Sequence, residues 1–267
     1  MIDLKKTGLD IEYDENKKEM IFEGKKIAPT IRRLKDMADV ITDKKWLGTA
    51  EKEIRLYYMF RDISKKDDKE TIEKNNLRYD ITVIPPNTLG REYIKTAGHA
   101  HPLIPDTSVT YTELYEVISG EGLYLLQKTD GNKVRDAYFI KAKAGEKIII
   151  PPGYSHITIN TKDTRLIMSN WVARNFTSLY ENIRTMKGGA YYVTTEKTIK
   201  NPAYANRSDK IRFKKPDNPQ ILGLRKSEPI YGMIKDPFRL KFLTEPQNHH
   251  RLFEEIMKKP ATETPIE

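Results

Sequence analysis

The chain has no cysteine among its 267 residues, which removes disulfides and thiolate metal sites from consideration. Long apolar runs are missing too. Nothing approaches the length of a membrane span, and the opening Met1-Ile2-Asp3-Leu4-Lys5-Lys6 lacks the apolar stretch of a signal peptide. No P-loop is present, so any phosphate bound here must be met by hydroxyls, amides or isolated cations. Segregated charge is absent as well: Lys and Arg outnumber Asp and Glu by 47 to 38, but the two signs interleave. That is a solvated surface with a mild attraction for anions such as sugar phosphates, not a nucleic-acid stripe. The expectation is a cytoplasmic protein of one large or one-and-a-half domains, binding neither membrane nor nucleic acid.

Histidine is scarce, at five residues, and three of the five fall into one constellation. Gly98-His99-Ala100-His101 is followed by Glu113 and then by Pro151-Pro152-Gly153-Tyr154-Ser155-His156. Read as strands, positions i and i+2 share a face, so His99 and His101 point into one cavity. On Tyr111 to Ile118 the same rule puts Glu113, Tyr115 and Val117 on one side and Glu116 on the other, making Glu113 the carboxylate of the set. The Pro-Pro-Gly-Tyr turn ends the run Ile148-Ile149-Ile150 and starts another with His156 at its mouth. An H-x-H pair alone also suits a hydrated strand surface. An in-phase carboxylate and a third histidine narrow the reading to a divalent transition metal with open coordination positions.

Along the chain, residues 1 to about 30 read as short extended pieces. Thr30 to Met37 suggests a helix capped by Thr30, and Leu47 to Phe60 has helical spacing at Ile54, Leu56, Tyr57 and Phe60. Ser64 to Asn75 is a charge run, read as an exposed loop or solvated helix. From Tyr79 onward turn signals recur at Pro85-Pro86-Asn87, Gly120-Glu121-Gly122, Asp130-Gly131-Asn132, Gly145 and Pro151-Pro152-Gly153. That cadence indicates an all-β barrel or sandwich, not alternating βαβ units. The tail predicts a short helix around Arg251 to Met257 and a disordered end.

The G-H-x-H segment, the carboxylate after it, the Gly-Glu-Gly turn and the P-P-x-x-x-H segment resemble the two motifs of cupins, which are jelly-roll barrels. More narrowly, Tyr115 to Gln127, Ile31-Arg32-Arg33-Leu34-Lys35-Asp36-Met37, Asn201-Pro202-Ala203-Tyr204 and Glu228-Pro229-Ile230-Tyr231 look like the archaeal-type, cupin glucose-6-phosphate isomerases. One departure is a longer loop, Pro102 to Thr110, before the carboxylate. The resemblance implies an all-β cupin jelly-roll barrel at residues 79–193. It implies an N-terminal arm with a helical segment at 1–78 and a mixed C-terminal extension at 194–267. It also implies one divalent transition metal per subunit (iron, manganese, nickel or zinc) held by His99, His101, Glu113 and His156. Thr82, Thr96 and Gly98 match positions lining the family's sugar-phosphate pocket, while Trp171 and Tyr180 match its aromatic positions more loosely. Lys95 stands close enough in sequence to be a phosphate partner.

The activity implied is the aldose–ketose interconversion of glucose 6-phosphate and fructose 6-phosphate, a step of glycolysis and gluconeogenesis. Such a reaction moves a proton between adjacent carbons while the sugar oxygens are held and polarised. Glu113 and Tyr115 are the candidate catalytic groups. A carboxylate on a dication is a weakened base, so assistance from Tyr115 or water, or a hydride shift without a base, stays open. The same ligand set suits a mannose-6-phosphate isomerase, an oxygen-using dioxygenase or a non-catalytic sugar-phosphate-binding cupin. The tail shows no helix-turn-helix pattern, which weighs against a regulator. Sheet edges of such folds are covered by pairing, so a homodimer is expected.

Overall fold

Alternation along the strands decides the architecture, because almost every long strand buries both of its faces. In the computed structural model, which describes residues 1–225 and 227–266, six antiparallel strands form the principal sheet. Their order is Lys147–Ile150, Glu113–Ser119, Leu166–Ala173, Leu77–Ile84, Arg55–Phe60 and Thr30–Arg33. A second sheet runs Ser155–Ile159, Glu121–Asp130, Lys133–Lys143, Lys210–Lys214 and Ala261–Pro265. Its pairs are antiparallel except for Lys133–Lys143 with Lys210–Lys214.

Three cores follow from the alternation. Tyr115 and Val117 of the first sheet meet Tyr124, Leu126, Tyr138 and Ile140 of the second, forming the core between the sheets. The intervening residues Leu114 and Ile118 face the rear, with Tyr79 and Trp171 beside them. There they are covered by Leu4, Ile11 and Tyr13 from the N-terminal strands and by Ile230, Tyr231 and Phe242 from the tail. A third cluster, Leu123, Leu125, Phe139 and Ile157 against Tyr191 and Tyr204, covers the far side of the second sheet. The jelly-roll expectation is met by two opposed sheets, and the structure is mostly strand.

The tail is tied to the rear sheet by polar contacts as well as apolar ones. Trp171 Nε1 donates to the Ile230 carbonyl at 2.8 Å, and the Ile230 N–H donates to Glu116 Oε2 at 2.9 Å. Thr112 Oγ1 donates to the Phe242 carbonyl at 2.8 Å. Lys147 sits fully buried beside Glu116, its Nζ 3.0 Å from Oε1. Buried groups of this kind need partners, since desolvation without a compensating bond costs roughly 1–3 kcal/mol each.

Several local expectations are corrected. The helix read over 47–60 is a short helix, Lys44–Thr49, followed by the strand Arg55–Phe60. Tyr57 and Met59 face the inter-sheet core while Tyr58 and Phe60 face the rear, so the apolar run serves both faces and its helical spacing is coincidental. Thr30 begins a strand instead of capping a helix. The helical turn starts at Leu34, where the Arg33 N–H donates to Asp36 Oδ2 at 2.8 Å. The chain end expected to be disordered forms the strand Ala261–Pro265, paired with Lys210–Lys214. The helix expected near 251–257 is present as His250–Met257. Among the described residues no helix is long and apolar enough to cross a membrane.

Candidate active site

The Glu113–Ser119 strand delivers the carboxylate, and two segments of the opposing layer deliver the imidazoles. His156 lies on the Ser155–Ile159 strand. His99 and His101 lie on an extended segment that is not a regular strand, held by an isolated antiparallel bridge between His99 and His156. Their backbones bond in both directions, His99 N to His156 O at 3.2 Å and His156 N to His99 O at 3.0 Å. Gly98 makes this approach possible. Its φ is +77°, and a Cβ there would stand 2.5 Å from Ile157 Cγ1.

The four candidate ligands offer atoms that all lie within 4.8 Å of one another. Three Nε2 atoms aim at a single oxygen, Glu113 Oε2: His101 at 3.2 Å, His156 at 3.3 Å and His99 at 3.8 Å. Neighbouring ligand atoms about 2.1 Å from a common ion would be separated by about 3.0 Å in octahedral and about 3.4 Å in tetrahedral geometry. The residues fit a divalent ion. His101 Nδ1 contacts the Tyr111 carbonyl at 3.1 Å, an acceptor that selects the tautomer leaving Nε2 free. His156 Nδ1 is buried with no hydrogen-bond partner.

Electrostatics put three of the four in the protonation state a cation requires. Burial, with the neighbouring histidines, holds His99 well below the usual imidazole range, against the pull of Glu113. Burial also lowers His156, again against Glu113. Burial alone would raise the Glu113 carboxyl, but hydrogen bonds and charge from His101 and His156 outweigh it and hold it well below the usual range. At neutral pH His99 and His156 are therefore neutral and Glu113 is ionised. Tyr115, raised well above the ordinary phenol by burial and by Glu113, remains a protonated donor or acceptor. Its hydroxyl lies 3.1 Å from His156 Nε2.

A pocket opens beside this cluster, and Thr82, Thr96, Gly98, Tyr115 and Tyr180 all line it. Thr96 sits before the Gly98 bend and accepts from the Thr158 N–H at 3.0 Å. Trp171 is buried in the rear core, outside the pocket. Lys95 does not reach the pocket either. It is buried, bonded to Glu92 at 2.7 Å and held near the Tyr192 ring. Among the pocket residues that were not anticipated are Arg61, Arg78, Asp80 and Asn170. Asn170 stands opposite Tyr115 in register and donates from Nδ2 to Glu113 Oε1 at 2.7 Å, so both carboxylate oxygens are engaged. Asn170→Leu should therefore weaken metal binding about 10- to 100-fold, the usual cost of losing a partner that orients a ligand. Metal titration of the stripped variant measures this, and unchanged affinity would refute the orienting role.

Residues 31–210 match the family described as glucose-6-phosphate isomerase (GPI). The chain belongs to that family. The match contains every residue of the cluster and pocket named above, while residues 211–267 lie outside it. The glucose-6-phosphate isomerase of Pyrococcus furiosus is 30% identical over 161 residues, covering 60% of this chain and 75% of that one. That of Thermococcus litoralis is 30% identical over 139 residues, covering 52% and 66%. These archaeal relatives bear out the archaeal-type resemblance read from the motifs. Among solved structures, one of oxalate oxidase covers 39% of this chain and 46% of its own at 22% identity and a TM-score of 0.31. A Bacillus subtilis oxalate decarboxylase covers 51% and 30% at 15% identity and a TM-score of 0.35. Likenesses this loose carry nothing about the chemistry of a glucose-6-phosphate isomerase family member.

Proposed function

We propose that this pocket is the active centre in which the chain interconverts glucose 6-phosphate and fructose 6-phosphate. The observation that carries it is the convergence of three imidazole Nε2 atoms on one carboxylate oxygen beside a polar pocket, in a chain of the glucose-6-phosphate isomerase family. His99, His101, Glu113 and His156 would hold one divalent transition metal: iron, manganese, nickel or zinc. Such an ion supplies Lewis-acid polarisation of the sugar's carbonyl and adjacent hydroxyl.

The chain's own residues do the rest. Glu113, ionised at neutral pH, takes the proton from C2 of the aldose and returns it to C1, while the proton of the O2 hydroxyl passes to O1, so the aldehyde becomes a hydroxymethyl group and C2 a carbonyl. Tyr115, kept protonated, donates a hydrogen bond to the sugar oxygen where charge develops. Thr82, Thr96 and Gly98, which line the pocket, would meet the phosphate-bearing end of the sugar, and Tyr180 lies beside His99, their ring centroids 5.7 Å apart.

The test is a coupled assay of fructose 6-phosphate conversion on chelator-stripped protein, with each of the four metals added back. Turnover should vanish on stripping and return with metal. Silence under every metal, from protein that binds one, would overturn the isomerase reading. Equal turnover without metal would overturn the metal's role.

A further inference from the structure

Arg61 follows the Arg55–Phe60 strand and lines the pocket together with Thr82, Asp80 and His99. Its guanidinium carries five N–H donors, yet its protein contacts are meagre. Nη1 lies 3.4 Å from Asp80 Oδ2, and Nη2 lies 3.3 Å from the Met59 sulfur, a weak acceptor. Asp80 is better matched elsewhere. Arg78 Nε reaches both of its oxygens at 3.0 Å, Arg78 Nη2 reaches Oδ2 at 3.0 Å, and the Asp62 N–H reaches Oδ1 at 2.9 Å. Arg78 thus takes up the carboxylate charge and leaves Arg61 over. The Arg61 side chain is 40% exposed, where Asp80 is 6%.

The sulfur contact says where the guanidinium lies. Met59 stands directly opposite Thr82 in the pairing of Arg55–Phe60 with Leu77–Ile84, so Arg61 folds back over the Thr82 side of the pocket. The other nearby cations stand outside the pocket lining or are paired: Lys95 with Glu92, Arg78 with Asp80, and Arg32 behind the Tyr180 ring, 5.5 Å from its centroid. We infer that Arg61 is a substrate-binding residue, gripping the phosphate of the sugar from one side while the Thr82 hydroxyl meets it from the other. Arg78 and Asp80 are positioning residues that set the height of Arg61 on the pocket wall. The inference deepens the isomerase reading and rests on it for the identity of the sugar. The anion site itself is independent of turnover.

A doubly ionised phosphate on an arginine fork makes charge-assisted bonds, which are about twice as strong as neutral ones. Arg61→Gln should therefore raise KM for fructose 6-phosphate about 30-fold while kcat changes by less than about 3-fold. Calorimetric titration of the manganese-loaded protein with inorganic phosphate should show the same loss of affinity, restored in part by Arg61→Lys, with metal content unchanged in both variants. Phosphate affinity equal in Arg61→Gln and the unsubstituted protein would overturn the inference. So would absence of phosphate binding to the unsubstituted protein, or a loss in Arg61→Gln accompanied by loss of metal. If the isomerase reading fails, no KM exists, and the phosphate titration still decides the anion site.

Discussion

His156→Ala is expected to release the metal and lower turnover by at least about a thousand-fold, because losing Lewis-acid stabilisation of several kcal/mol has that effect on rate. The imidazole is 2% exposed and supplies one of three nitrogens directed at Glu113 Oε2. Without it the remaining ligands must hold the ion with an open flank. Glu113 also loses one of the two partners that keep its carboxyl low. The fold should survive. The bonds that join His99 and His156 are backbone to backbone, and alanine keeps them. Truncating a buried side chain costs about 1–3 kcal/mol against a typical stability of about 5–15 kcal/mol. Metal analysis, circular dichroism and the coupled assay on one preparation check all three parts. Stoichiometric metal in the folded variant would refute the ligand set.

Lys147→Met is the second large effect, and it concerns stability instead of turnover. Lys147 and Glu116 are 0% and 4% exposed in their side chains, with Nζ and Oε1 3.0 Å apart. Removing one partner of such a pair costs about 3–5 kcal/mol, because the other charge stays buried. Burial already raises the Glu116 carboxyl, offset by Lys147 and by the Ile230 N–H. With the ammonium gone, the carboxyl should rise further. A folded-state carboxyl above its unfolded value of about 4.3 binds protons that the unfolded chain releases, so the variant should lose stability as pH climbs past that value. Adding Glu116→Gln should recover much of the loss and flatten the pH dependence, since the amide oxygen still accepts from Ile230. Denaturant melts of the single and double variants at two pH values measure this. Equal stability of Lys147→Met and the unsubstituted protein would mean that the pair contributes nothing.

The four candidate ligands were legible in the sequence because their signals are local: an H-x-H pair, a carboxylate fixed by strand phase, and a histidine placed by a Pro-Pro-Gly turn. Phase also separated Glu113 from Glu116, and the structure puts them on opposite faces. Asn170, Asp80 and Arg61 were not legible, and the reason is register. Asn170 stands opposite both Tyr115 and Asp80, residues 55 and 90 positions away in the chain, given by 170 − 115 and 170 − 80. No short-range pattern reports such pairings. Arg61 was hidden further by its neighbours, since it precedes a charge run and follows apolar residues misread as a helix. The stretch from Arg55 to Phe60 fits a helical spacing and a doubly buried strand equally well until the sheets that cover it are known.

From Glu113 to Val117 the strand has no slack in its reading frame; its register shifts only beyond that, before Ser119. Glu113 and Tyr115 serve the pocket while Leu114 and Glu116 face the rear, so adding or deleting one residue among them would exchange the two sets. Glu116 would swing into the pocket, Tyr115 would turn to the rear core, and Ile230 would lose its acceptor in the same event. Length can vary only ahead of the strand. Tyr111 is fixed by His101, and Thr110 by the Gly153 N–H at 2.7 Å. Earlier in the loop, Leu103 is 57% exposed, and the turn from Ile104 to Val109 closes on its own backbone bond of 2.9 Å. Insertions are therefore tolerable at that outer turn and not between Glu113 and Val117.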